Sequence, residues 1–104
     1  GIKMASQIHQ NDVGTKLLVT VTDDGSAVDI SAASSLTIFL KQPDGDVLEK
    51  SATLNTSGED GKMYYLTVLG DLDKAGTYKI QGKVVISTGT FYTSISTFKV
   101  HCNL

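Results

Sequence analysis

The chain has no arginine, no tryptophan, one proline and one cysteine. Without arginine, the planar fork that grips phosphate or guanine in a bidentate way is missing. Nine lysines against eleven acidic residues leave a net charge of −2, so there is no basic excess to neutralise a nucleic-acid backbone. Nucleic acid is not an expected partner. Cys102 stands alone and cannot close an internal disulfide, so the domain is expected to rest on its apolar core without the usual immunoglobulin bridge. No apolar run approaches the roughly 18 residues of a membrane span, and Gly1 to Gln10 lacks the basic-then-apolar order of an export signal. Neither a membrane nor a secretory route is expected.

What is present is alternation. The 104 residues, 40% apolar and 19% charged, suit one soluble domain over 1–104 with a single core. Leu17, Val19 and Val21 share one face of a run over Lys16–Thr22, and Leu36, Ile38 and Leu40 share one face over Ser35–Gln42; both read as half-buried strands. Asp23, Asp24 and Gly25 supply one turn and Pro43, Asp44 and Gly45 another, the proline presetting φ and the glycine accepting a positive value. Val47–Leu54 is a weaker strand with the interrupted apolar face of a sheet edge. Lys62–Leu69 has apolar character on both faces. Thr77–Ser87 alternates strictly, and Thr88 and Gly89 turn it into a strand over Thr90–Val100. In that last strand Phe91 and Ile95 keep one parity while Phe98 and Val100 keep the other, which predicts a bulge or break near Ser96. With a short strand near Gln7 and Ile8 the total is about seven antiparallel strands, an all-β immunoglobulin-like sandwich.

The segment Asp71–Tyr78 lies between the fifth and sixth strands and reads as a tyrosine corner built on Asp73, Gly76 and Tyr78. In that motif a tyrosine hydroxyl turns back to the backbone a few residues upstream and ties the crossover between sheets. Asp71 suits the start of one helical turn and Gly76 its left-handed end. The competing reading is a plain core aromatic after a turn.

Four stretches carry a family resemblance: Gly14–Gly25, Val28–Ala32, Leu40–Gly45, and Ala75–Tyr78 with the hairpin through Gly89. In these the chain resembles the immunoglobulin-like N-terminal domain of phage baseplate upper proteins and, more broadly, small sandwich domains of phage tails. The resemblance implies a virion structural protein, from a phage or prophage, that joins tail or baseplate proteins, located in the virion and in the host cytoplasm before assembly. The length departs from the family, whose domain precedes trimerising and receptor-binding segments. A bacterial cell-surface adhesion or carbohydrate-binding module is the alternative, weakened because Tyr64, Tyr65, Tyr78 and Tyr92 fall in strands and not in loops.

Chemistry-bearing residues are sparse. His9 and His101 sit in opposite terminal segments with no Cys or carboxylate at a ligand spacing, and zinc needs about four ligands, so no metal or other cofactor is expected. Cys102 beside His101 suggests a thiolate and its base, but strand neighbours point to opposite faces. Asp23, Asp24, Asp44, Asp46, Glu59, Asp60, Asp71 and Asp73 fall in loops at both ends of a sandwich, and they read as turn formers more than calcium ligands. No phosphate loop, nucleophile elbow or carboxylate pair appears, so the chain is not expected to be an enzyme. Leu18, Phe39, Tyr65 and Val85 are apolar residues assigned to outward faces, and they are the candidates for docking to other proteins or to a second copy.

Overall fold

The computed structural model describes residues 8–103. Among the described residues eleven strands follow one another: β1 Ile8–His9, β2 Lys16–Thr20, β3 Thr22–Asp23, β4 Ser26–Ala27, β5 Ser35–Lys41, β6 Val47–Ser51, β7 Thr53–Leu54, β8 Lys62–Leu66, β9 Gly76–Ile86, β10 Gly89–Tyr92 and β11 Ser96–His101. A six-stranded sheet runs β1-β11-β9-β5-β6 with β10 also on β9, a three-stranded sheet runs β2-β8-β7, and β3 and β4 form a separate hairpin. The fold is an all-β immunoglobulin-like sandwich.

The inward side chains follow from period two. Leu17 and Val19 on β2, Ile38 and Leu40 on β5, Met63 on β8, Tyr78, Ile80 and Val84 on β9, and Val100 on β11 make the buried layer, closed by Val21, Ile30 and Leu72 from connecting segments. Gly82 sits among them because a Cβ there would lie 2.6 Å from Met63 Cε and 3.0 Å from Val19 Cγ2. The two sheets approach across a residue with no side chain to give up.

The chain departs from simple alternation in four places. The run over Val47–Leu54 is two strands: Ala52 donates its amide to the Leu36 carbonyl at 3.0 Å, the last bond to the larger sheet, and Thr53 and Leu54 then pair with Tyr64 and Met63 in the smaller one. The parity change in the last strand is a break over residues 93–95, just ahead of Ser96, and Thr93 fills it. Its amide donates to the Gly82 carbonyl and its hydroxyl accepts from the Gly82 amide at 2.8 Å, so the ladder of β9 is capped by one residue while the chain shifts register. Ile95 is left on the surface. The hairpin turn is Ser87–Thr88, since Gly89 already pairs with Ile86. Finally, β1 lies parallel to β11, so the strands are not all antiparallel; the N-terminal strand closes the larger sheet from the side opposite β6. Of the expected strand near Gln7 and Ile8, Gln7 lies outside the described residues.

Candidate functional site

Between β8 and β9 the chain crosses from one sheet to the other, and Tyr78 ties that crossing. Its ring is fully buried and stacks on Phe98 at 5.4 Å. Its hydroxyl donates to the Lys74 carbonyl at 2.8 Å and accepts from the Lys74 amide at 3.1 Å. Burial pushes the phenol up. Gly76 takes φ +134, and a Cβ there would meet Pro43 Cγ at 2.9 Å. The Asp73 carboxylate accepts from Lys74 Nζ at 3.2 Å.

Asp71, three per cent exposed, does not begin a helical turn; no helix forms in this segment. Its carboxylate instead accepts from the Tyr65 hydroxyl and from the Val68 amide at 2.9 Å and pairs with Lys50 Nζ at 3.1 Å. Burial pushes the carboxyl up, but the bonds from Tyr65, Val68 and Lys50 outweigh it and hold the pKa below the ordinary carboxylate range. The Lys50 ammonium is raised by its bond to Asp71, and the Tyr65 phenol is raised by burial first and by Asp71 second. The cluster is saturated: every oxygen of Asp71 is engaged in holding the crossover.

The expected docking residues do not form one patch. Leu18 is 46% exposed on the smaller sheet opposite Tyr64. Phe39 and Val85 lie on the outer face of the larger sheet, both half-buried. Tyr65 is a correction: it shares the inner face with Met63 and packs against the core, because β8 pairs it with the buried Leu17.

The outer face of the larger sheet has a character that the linear sequence hides. Lys41, Lys79, Lys83 and Lys99 project there with Glu49 as the one carboxylate among these strand positions. Lys41 stands directly opposite Lys79 across β5 and β9. Like charges in that position destabilise a sheet, and among the described residues neither lysine is in a salt bridge; the lysines that are, Lys50 and Lys74, lie elsewhere. Beside this pair runs an open groove of about 280 Å³ lined by Phe39, Lys41, Val47, Lys79, Gln81 and Ile95, continued past the same two lysines by a second of about 180 Å³ toward Pro43 and Gly45. Val47 and Ile95 are 56% and 61% exposed. Two unneutralised ammonium groups therefore flank an apolar floor. The sequence signal that could have found this pair is the shared outward parity of Lys41 and Lys79; the pairing itself needs the register.

Among the described residues no three His, Cys, Asp or Glu side chains gather at metal-binding distance, and Cys102 is exposed. His9 and His101, distant in sequence, are neighbours across β1 and β11.

No family model matches the chain, and no curated protein matches it. Among solved structures it is similar to CopC from Methylosinus trichosporium OB3b, with 16% identity, a TM-score of 0.58, and coverage of 96% of this chain and 90% of that one. The likeness is one of fold. It corrects the expected tail or baseplate role: the sandwich that prompted that role is shared with CopC, and no family model or curated protein ties the chain to a virion.

Proposed function

We propose that the chain is a non-catalytic binding domain whose working surface is the outer face of the larger sheet, and that its ligand is an acidic peptide segment carrying apolar side chains. The observation that carries this reading is the Lys41–Lys79 register pair beside the groove of Phe39, Val47 and Ile95. A directly opposed lysine pair works against folding by about 0.2–1 kcal/mol; a carboxylate placed between the two ammonium groups removes that repulsion and adds charge-assisted hydrogen bonds. The apolar floor buries the ligand's side chains, and the rigid sheet holds the contacts in place with little ordering cost. The groove is lined by apolar side chains, two lysines and Gln81, a lining that supports a binding role.

The test is an amide NMR titration with a short synthetic peptide alternating aspartate and phenylalanine, with a lysine-for-aspartate version as control. Shifts should gather on β5, β6 and β9, vanish in a Lys41→Glu/Lys79→Glu variant, and be absent with the control. Equal shifts with both peptides, or shifts unchanged in the double variant, overturn the reading.

A further inference from the structure

The parallel pairing of β1 with β11 sets His9 against His101, with ring centroids 5.8 Å apart and planes inclined at 45°. Alternation puts both rings on one face, since Val100, the residue before His101, is buried in the core. The local backbone is tied from several sides. Gln10 donates its amide to the His101 carbonyl at 2.8 Å, Asn103 Nδ2 donates to the Gln10 carbonyl at 2.9 Å, and the His9 amide donates to the Asp12 carboxylate at 3.0 Å. Within this frame the Nδ1 of His9 is buried and has no hydrogen-bond partner, the one such side-chain atom among the described residues. A buried polar atom left without a partner is unfavourable and calls for an explanation, an ion among the candidates.

Imidazole nitrogens bind divalent transition ions at about 2.0–2.1 Å, and two imidazoles on one ion at open tetrahedral or trigonal angles have centroids roughly 5–6 Å apart. The observed spacing falls in that range. A plain aromatic contact accounts for the distance as well, but it gives the orphaned nitrogen nothing. We propose that His9 and His101 form a two-imidazole site for a borderline divalent transition-metal ion, with water completing its coordination, so that the ion clips β1 to β11. With two protein ligands the site is exchangeable, unlike a closed structural zinc centre. Its ligand set selects ions that favour nitrogen, such as Zn²⁺ and Ni²⁺, over the oxygen-seeking Mg²⁺.

An ion held only by the folded chain raises its melting temperature by mass action. Thermal unfolding of the full chain should shift upward with ZnCl₂ and with NiCl₂, rising with the logarithm of the ion concentration as expected for one ion per chain, and should not shift with MgCl₂. His9→Asn and His101→Asn should each abolish the shift, and Cys102→Ser should keep it. Because either histidine substitution could loosen β1, Ni²⁺ broadening of amide NMR signals gives a second readout on the folded chains. Broadening should centre on residues 8–12 and 99–103 and disappear in both histidine variants. Absence of any zinc or nickel shift, a shift or broadening that persists in either histidine variant, or its loss in Cys102→Ser overturns the proposal.

Discussion

Replacing Tyr78 by phenylalanine removes one oxygen and nothing else from the centre of the fold. The ring, its stacking on Phe98 and its place in the buried layer are all retained, so no cavity larger than a hydroxyl opens. What is lost is a pair of bonds to one residue: the Lys74 carbonyl loses its donor and the Lys74 amide loses its acceptor. A net hydrogen bond contributes about 0.5–1.5 kcal/mol, and a stranded buried partner costs about 1–3 kcal/mol. Lys74 is half-exposed, so water recovers part of the loss, and about 2 kcal/mol is the expected destabilisation. For a domain of this size each kcal/mol moves Tm by roughly 4–8 °C, which places the drop near ~10 °C. Urea unfolding should show a lower midpoint with an unchanged slope. Tyr92→Phe is the matched control, because Tyr92 is 54% exposed and its loss should stay within about 0.5 kcal/mol. If Tyr78→Phe is no more costly than Tyr92→Phe, the hydroxyl does not hold the crossover and the reasoning fails.

Other outcomes follow from the same geometry. Asp71 has a folded-state pKa below its unfolded value, so its contribution is complete above about pH 4 and is lost as the pH falls through the lower folded value; stability curves of the wild type and Asp71→Asn should keep a constant gap above about pH 4 and converge as the pH falls below it, and a gap that persists unchanged into acid refutes the assignment. Gly61→Ala should destabilise by about 2 kcal/mol or more, since its Cβ would lie 2.6 Å from the Val21 carbonyl oxygen at φ +75, whereas Gly45→Ala, at φ +100 with open space around it, should lose only the backbone-strain part; equal losses in chemical denaturation would show that the close approach is unimportant. Lys79→Glu should raise stability by about 0.2–1 kcal/mol, because it turns an opposed like-charge pair into an attractive one, while it weakens binding of the acidic peptide; lower stability measured by urea would remove the argument that this pair is maintained against folding.

Much of the local structure was legible from residue order. The alternation over Leu17–Val21 and Leu36–Leu40 predicts faces that the structure buries at Leu17, Val19, Val21, Ile38 and Leu40, because side-chain parity is a property of each strand alone. The parity switch between Phe91 and Phe98 predicts a break for the same reason. Tyr65 was not legible: both faces of its strand are apolar, so parity could not say which side looks inward until β8 paired with β2 and set Tyr65 against Leu17. Asp71 was misleading in sequence, since an aspartate before Leu72 and Asp73 suits a turn, while the hydroxyl and ammonium that occupy its carboxylate come from Tyr65 and Lys50 on other strands.

By itself the sequence determined that this chain forms strands, where most of them turn, and which residues of each strand share a face, because those properties depend on neighbours within a few positions. The tertiary structure alone decided that Lys41 stands opposite Lys79, that His9 meets His101, and that the run over Val47–Leu54 breaks at Ala52 into one strand of the larger sheet and one of the smaller. Each of these depends on the register between segments many residues apart, and a shift of a single residue would send the same side chains to the opposite face.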